Sequence, residues 1–155
     1  SRQGRAVAGV SMGGWGAMLL GLKHHQVFGS VGAMSAPYLI SRQSPNMDMT
    51  VREQQTFGIP GSPERLARDP VSILATIPFE SVPNLYLASG NQDIFVIDNR
   101  RFVERLTERK IPYEYREVSP RGHSWDFWDD QLVNFIEMLS RTWSQVARNA
   151  ARGRL

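Results

Sequence analysis

The feature that most constrains this chain is the pentapeptide GVSMG at positions 9–13, which has the pattern G-x-S-x-G around Ser11. It directly follows an apolar run at 6–10 and directly precedes a segment of small and apolar residues at 14–20. In such a strand–turn–helix context, the pattern predicts a strained turn that holds the serine hydroxyl out at the carboxyl edge of a sheet. The alternative interpretation is a glycine-rich β–α turn without a catalytic role.

The glycines around Ser11 have a steric explanation. We expect Gly9 and Gly13 to be glycines because a Cβ atom at either position would collide within so tight a turn. We expect Gly14 and Gly16 to let the following helix pack close to the sheet.

The composition is that of a folded globular domain without cysteine chemistry. The chain has 155 residues, of which 41% are hydrophobic, and this is enough to form a core. The absence of cysteine excludes disulfides, thiolate metal sites and cysteine nucleophiles. No apolar run approaches the roughly 20 residues that a membrane helix needs, and no signal peptide is visible, so the compartment stays open.

The charge pattern argues against nucleic-acid binding. The net charge is +3, and positive and negative residues are mixed along most of the chain rather than concentrated on one element. We expect the arginine-rich residues 144–155 to form a basic tail that is solvated or disordered. No metal or cofactor is suggested, and the expected partner is a small-molecule ester or acylated substrate.

Apolar runs alternate with helical patterns, which indicates an α/β protein with a mostly parallel sheet. The predicted strands are 6–10, 29–35, 85–89 and 113–118, the last lying nearer the sheet edge. The predicted helices are 15–23, 98–110 and 125–143. The inward face of the last helix is predicted to carry Trp128, Leu132, Phe135, Ile136, Leu139 and Trp143.

Residues 41–83 interrupt this alternation with six prolines. Long excursions over strand ends are where binding residues collect, so we expect a cap-like insertion over the mouth of the active site. Within it, Ser62 and Pro63 suit a helix start.

The serine-bearing strand comes first in the chain, and its apolar edge would be exposed. Residues 1–143 are therefore expected to be the C-terminal part of a larger single domain.

His123 is the expected general base. A serine hydroxyl needs a neighbouring base to take its proton, and the chain has only three histidines. His24 and His25 stand at the end of the helix that follows Ser11, where they point away from the strand ends. His123 stands in a turn between the last strand and the last helix, where a triad histidine is needed.

The acid must come between Ser11 and His123 in the α/β-hydrolase order of nucleophile, acid and histidine. Asp93 follows the third strand by a short turn, so its carboxylate can reach the far nitrogen of His123. Asp98 is the second choice, and it suits the start of the next helix better. Asp48 and Asp69 are weaker candidates, and Asp69 looks like a cap before a proline.

The remaining site residues follow from proximity to these motifs. The backbone N–H of Met12 is expected to donate to the oxyanion, with a second donor coming from a loop outside this sequence. Trp15, Ile94, Phe95 and Trp125 lie within a few residues of a catalytic motif and are predicted to bind substrate, although ordinary core packing is an equal alternative.

Four motifs together resemble a known family: GVSMGG at 9–14, Gly90-x-x-Asp93, DNRRF at 98–102 and GHSW at 122–125. They are similar to the esterase D-like group of α/β-hydrolases, which includes S-formylglutathione hydrolases, tributyrin-type carboxylesterases, feruloyl and acetyl-xylan esterases, and mycolyltransferases. The resemblance extends from residue 5 to about 140. It implies Ser11 as nucleophile, Asp93 as acid and His123 as base, in an α/β-hydrolase domain whose N-terminal half is not in this sequence.

Three functions are compatible with these residues. The leading one is a serine carboxylesterase that forms an acyl-Ser11 intermediate. The second is an acyltransferase that uses the same triad and an alcohol acceptor. The third is a non-catalytic binding module with the same fold, which the intact set of Ser11, Asp93 and His123 argues against.

Overall fold

The computed structural model describes residues 1–39 and 50–152. The strands are β1 (Ala6–Val10), β2 (Ser30–Met34), β3 (Asn84–Gly90) and β4 (Tyr113–Val118). The helices are α1 (Met12–Lys23), α2 (Thr50–Phe57), α3 (Pro63–Leu66), α4 (Pro70–Thr76), α5 (Val96–Glu108) and α6 (Trp125–Ala151). Short 3-10 turns lie at Arg2–Gly4 and Phe79–Ser81.

The four strands form one parallel sheet in the order β1-β2-β3-β4. All four predicted strands are confirmed within one or two residues, and β4 lies at an edge as expected. In the register of the sheet, Val10 pairs with Met34, and Met34 pairs with Ala88. Ser11, Ser35 and Ser89 are the next residues along these strands, so three serines stand at the same level of the carboxyl edge.

Each face of the sheet is covered by its own layer of helices. Val31, Leu85 and Leu87 point to one face and pack in a core shared with α1, α4 and α5. Met34, Tyr86 and Ala88 point to the other face and pack against α6. This alternation is the period of two that a strand imposes on its side chains. The two central strands, β2 and β3, are therefore buried on both faces, which explains why their sequences read as apolar runs.

The predicted inward face of α6 is only half correct. Trp128, Phe135 and Leu139 are buried as expected, but Leu132, Ile136 and Trp143 are exposed. The residues buried instead are Phe127, Gln131 and Met138. Apolar residues cover a stripe of α6 wider than the area in contact with the sheet, so periodicity alone does not select the buried half. Gln131 tolerates burial because its Oε1 accepts a hydrogen bond of 2.8 Å from the hydroxyl of Tyr86.

Helix α6 also continues eight residues beyond its predicted end, so residues 144–151 are helical rather than a disordered tail. Alanine, glutamine and arginine are strong helix formers in this stretch. Side-chain hydrogen bonds one turn apart join Gln145 to Asn149 and Arg148 to Gln145, and such pairs stabilise an exposed helix.

The predicted insertion at 41–83 lies partly outside the described residues, and the described part is not all peripheral. Helix α4 packs against α1 and α5, and Val71, Leu74 and Ile77 belong to the main core. Prolines begin two of its helices, with Ser62 capping α3 and Asp69 capping α4. Residues 70–77 are therefore a layer of the domain, and a cap over the site stays a prediction for the rest.

Membrane-spanning helices and clusters of metal-binding side chains are both absent from residues 1–39 and 50–152. None of the helices there has the length and apolarity needed to cross a membrane. No group of three or more His, Cys, Asp or Glu side chains there could hold a metal ion.

Candidate active site

Ser11 occupies a turn with a strained backbone between β1 and α1. Its φ of 53° and ψ of −126° lie in a region that L-residues rarely adopt. Its N–H donates to the carbonyl oxygen of Met34 at 2.8 Å, and its own carbonyl oxygen accepts from Gly14 and Trp15. Its side chain does not cap α1, so the hydroxyl is left for a partner above the sheet edge.

Two of the four glycines near Ser11 are required by close contact. A Cβ atom on Gly9 would lie 2.2 Å from the carbonyl oxygen of Gly13, and one on Gly14 would lie 3.0 Å from that of Met34. The steric expectation is wrong for Gly13 and Gly16, since a Cβ at either position would meet no atom of the described residues within 4 Å. Both positions face open space.

The backbone N–H of Met12 lies at the start of α1. The first N–H groups of a helix have no carbonyl partner within it, and the helix dipole makes this end positive. Both effects favour a negative charge that develops close to Ser11. The oxyanion role of Met12 stays a prediction.

The loop that carries His123 lies directly on the turn that carries Asp93. The N–H of Gln92 donates to the carbonyl oxygen of Arg121 at 2.9 Å. A Cβ atom on Gly90 would lie 2.2 Å from that same oxygen, so only glycine allows this approach. Gly90 therefore determines how close the histidine loop comes to the acid.

The structure brings the three predicted triad residues together. His123 Nε2 lies 3.0 Å from Ser11 Oγ. His123 Nδ1 lies 3.1 Å from each of the Asp93 oxygens, Oδ1 and Oδ2. The histidine side chain is 23% exposed, whereas that of Asp93 is completely buried. One ring nitrogen thus faces an accessible hydroxyl and the other faces a buried carboxylate.

Aromatic rings hold the imidazole of His123 on two sides. Phe95 and Trp128 contact it edge-on, with ring centroids 5.4 and 4.8 Å away. Trp125 packs edge-on against Trp128 at 5.0 Å. These contacts restrict rotation of the ring and leave its Nε2 edge toward Ser11.

The four predicted substrate-binding residues fall into two groups. Ile94 and Trp125 are 74% and 73% exposed, next to the acid and the base respectively. Phe95 and Trp15 are half-buried. Phe95 packs on His123, and Trp15 packs edge-on against Phe57 at 5.2 Å. Phe95 thus contacts His123 directly, Ile94 and Trp125 lie close to Asp93 and His123 in the sequence, and substrate binding by all four stays a prediction.

The other candidate acids have different contacts. Asp69 is the N-cap of α4 and accepts from the N–H groups of Val71 and Ser72. Asp98 lies in the first turn of α5, where it accepts from the N–H of Leu39 at 3.1 Å, and burial raises its pKa. Asp48 lies outside the described residues. His24 forms the C-cap of α1, as its position in the sequence indicated.

Sequence reasoning missed Ser35 and treated Trp128 as core packing only. The Ser35 hydroxyl donates to Asp93 Oδ2 at 2.5 Å, and Trp128 Nε1 donates to Ser35 Oγ at 3.0 Å. The available signal was the position of Ser35 directly after a buried strand, at the same sheet edge as Ser11.

Comparisons with known proteins identify the family of this chain. Residues 1–139 match the family model described as "Putative esterase". The acetyl esterase of Caldicellulosiruptor saccharolyticus is 29% identical over 150 residues, which cover 90% of this chain and 56% of that protein.

Solved structures give the same fold. A ferulic acid esterase is 26% identical, with a TM-score of 0.73, and the match covers 92% of this chain and 53% of that one. A fluorophosphonate-binding serine hydrolase of Staphylococcus aureus is 24% identical, also with a TM-score of 0.73, covering 89% and 55%. The chain thus spans about half the length of each of these proteins. The predicted α/β-hydrolase fold is confirmed, and the chain belongs to the putative esterase family.

Proposed function

We propose that this chain carries the catalytic triad of a serine carboxylic-ester hydrolase. The observation that supports it most is the continuous path from Ser11 Oγ through His123 to Asp93, with contacts of 3.0 and 3.1 Å. A hydroxyl, an imidazole and a buried carboxylate in this order are the parts that nucleophilic acyl transfer needs. Membership of an esterase family supports the same reaction class.

In the acylation half-reaction, Ser11 Oγ attacks the ester carbonyl carbon while His123 Nε2 takes the hydroxyl proton. The carbonyl oxygen becomes an oxyanion that the N–H of Met12 stabilises. Asp93 stabilises the imidazolium cation through Nδ1–H. The tetrahedral adduct then collapses, the bond to the alcohol oxygen breaks, and His123 returns its proton to the leaving alcohol.

In the deacylation half-reaction, the same groups act on water. His123 takes a proton from water, the hydroxide oxygen bonds to the acyl carbon, and the bond to Ser11 Oγ breaks with return of the proton to the serine. The carboxylic acid leaves. A preorganised oxyanion donor typically contributes about 10²–10³ in turnover, so we expect a second donor from outside this chain to be needed for full activity.

The substrate is proposed to be an ester with a short acyl group. Phe95 packs on His123, and Trp125 packs on Trp128, which also contacts His123, so we expect the space next to His123 to be narrow. One relative is an acetyl esterase and one structural neighbour is a ferulic acid esterase, so the matched proteins differ in the acyl part that they are named for. The matched proteins therefore support the carboxylic-ester class, and the short acyl group is proposed from the side chains near His123 alone.

A panel of p-nitrophenyl esters of increasing acyl length, assayed with the protein at its naturally expressed length, tests this function. We expect hydrolysis to be fastest for acetyl or butyryl esters. The acyl product should remain the free carboxylic acid when an alcohol is added. Formation of a new ester when an alcohol is added would indicate an acyltransferase instead. No turnover of any ester, with a folded protein, would contradict the proposal.

A further inference from the structure

The carboxylate of Asp93 is held by a set of donors that extends beyond the triad. Its side chain is completely buried, so it depends on the protein for hydrogen bonds. The N–H of Phe95 donates to Oδ1 at 2.8 Å, and the hydroxyl of Ser35 donates to Oδ2 at 2.5 Å. His123 Nδ1 lies 3.1 Å from both oxygens. Each oxygen is thus held from its own side, which fixes the plane of the carboxylate.

Trp128 determines which way the Ser35 hydroxyl points. Its Nε1–H lies 3.0 Å from Ser35 Oγ, and an indole nitrogen can only donate. Ser35 Oγ must therefore accept from Trp128, and its single proton is left for Asp93. Hydrogen bonds in such a chain polarise one another in a buried setting. The chain runs from Trp128 through Ser35 and Asp93 to His123.

The backbone of Ser35 has an unusual conformation. Its φ is 53°, unusual for a residue with a side chain, and its N–H donates to the carbonyl oxygen of Ala88 at 2.8 Å. Ser35 is completely buried. A glycine would adopt this conformation at a lower energetic cost. Ser35 therefore has a strained backbone at the position where its hydroxyl meets Asp93.

Trp128 also contacts the base itself. Its ring packs edge-on against the imidazole of His123 at 4.8 Å, while its N–H begins the chain of hydrogen bonds that reaches the acid. Trp128 therefore touches the imidazole of His123 and, through Ser35, orients the Asp93 carboxylate to which that imidazole is hydrogen-bonded.

We propose that Ser35 and Trp128 are positioning residues for the reaction of Ser11, forming a relay that fixes the orientation of the Asp93 carboxylate toward His123. Neither touches the reacting atoms. The proposal rests on the proposed function, because the rate that the relay controls is the attack of Ser11 on an acyl or phosphonyl centre.

The test measures the rate constant for labelling of Ser11 by a fluorophosphonate probe, in protein of naturally expressed length. Ser35→Ala removes the hydroxyl, and Trp128→Phe keeps the ring on His123 but removes the N–H. Ser30→Ala is the matched control, because Ser30 begins β2, the strand that ends directly before Ser35, is equally buried, and has a hydroxyl without a partner among the described residues. Trp143→Phe is the control on α6.

Losing a hydrogen bond to a charged group should slow labelling by roughly 10- to 100-fold in Ser35→Ala. We expect a smaller loss of roughly 3- to 10-fold in Trp128→Phe, because its N–H acts through a neutral hydroxyl. The double variant should be no slower than Ser35→Ala, since the indole acts on Asp93 only through Ser35. Both controls should react at the wild-type rate.

A spectroscopic readout separates positioning from general stability. In the NMR spectrum, the low-field proton on His123 Nδ1 should shift or broaden in Ser35→Ala and stay unchanged in Ser30→Ala. Wild-type labelling rates in folded Ser35→Ala and Trp128→Phe, or losses that simply multiply in the double variant, would overturn the relay. If Ser35→Ala does not fold, Trp128→Phe decides alone.

Failure of the proposed function would look different. In that case wild-type protein would not be labelled at Ser11, whatever the state of Ser35. The NMR comparison would then decide the relay by itself, with an unchanged Nδ1 proton in Ser35→Ala counting against it and a shifted or broadened one supporting it.

Discussion

Ser11 follows an edge strand that is only half covered, whereas Asp93 follows β3, which is buried from its second residue to its last. Within this chain, Ser11 therefore stands beside the exposed side of the sheet, and Asp93 stands in the interior with the hydroxyl of Ser35 against it. Under the proposed function, an ester must reach the region that contains Ser11. A buried carboxylate in the second region interacts strongly with an imidazolium because little water screens it.

The open region extends from β1 to the neighbouring part of α6. A shallow apolar groove there is lined by Ala8, Val10, Trp125 and Leu132, among others. Leu132 is 45% exposed, although it lies on the same helix as the fully buried Phe127. The two regions thus differ in packing as well as in access to solvent. Each of the following changes tests one side of this difference.

Replacement of the nucleophile or the base should have the largest effect. We expect Ser11→Ala and His123→Ala each to lower ester hydrolysis by at least about 10⁴-fold, because triad members act as a unit. Thermal unfolding should hardly change for Ser11→Ala, since the open region contributes little packing there. Initial rates with an acetyl ester are the measurement, and retention of more than about a tenth of the activity in either variant would refute the assignment.

Truncation on α6 should separate the interior from the open region by stability. Phe127→Ala should cost about 3–5 kcal/mol of unfolding free energy, as for a large core aromatic. Leu132→Ala in the 155-residue chain should cost less than about 1 kcal/mol, because much of its side chain is already in solvent. Urea unfolding at low protein concentration provides both values. Equal costs would mean that the groove is as well packed as the core.

The exposed edge of β1 should make the 155-residue chain associate with itself, and an isolated chain should be at best weakly active. An unpaired edge strand offers free N–H and C=O groups to another strand. Sedimentation velocity should show oligomers that increase with concentration. Ala8→Lys, which places a charge on an exposed position of this edge, should shift the distribution toward monomer. A monodisperse, cooperatively melting and fully active wild-type monomer would contradict the prediction.

The preference for acyl-chain length should change more when the exposed Trp125 is replaced than when the packed Trp15 is replaced. Trp125→Ala should raise the relative rate for longer acyl chains a few-fold, because it opens space next to His123. Trp15→Ala should change the profile less and lower stability more, because its ring packs on Phe57. Ratios of kcat/KM for acetyl and octanoyl esters give the comparison. Unchanged ratios in both variants would show that neither residue lines the acyl site.

The smallest effect is expected at Asp98, one of two buried aspartates besides Asp93 in the described part of the chain. Burial raises the pKa of Asp98 in the folded chain, so ionisation costs stability as the pH rises above its ordinary value. Asp98→Asn should therefore stabilise the protein slightly at neutral pH and lose that advantage in acid, where Asp98 is protonated. The melting temperature at pH 7 and pH 4 is the measurement. A variant that is less stable at pH 7 would show that the hydrogen bond from Leu39 outweighs burial.

Much of the fold was predictable because β2 and β3 are buried on both faces and therefore read as apolar runs. The meeting of Ser11, Asp93 and His123 was predictable because a strained turn requires Gly9, and because the chain order left one suitable histidine. The burial of Phe127 in place of Leu132 could not be predicted, because it depends on where α6 contacts the sheet. Ser35 was missed because a serine after a strand has no periodic or motif signal, and its role arises from contacts 58 and 93 residues away.

Labelling of the protein with a fluorophosphonate probe, followed by mass spectrometry of its peptides, tests the central claim most directly. The account predicts a single adduct on Ser11, formed at a rate that falls by orders of magnitude in His123→Ala. It predicts no adduct at Ser35, which has the same φ and stands at the same level of the sheet but is buried and bonded to Asp93. Labelling that spares Ser11, or that proceeds equally well without His123, would contradict the account.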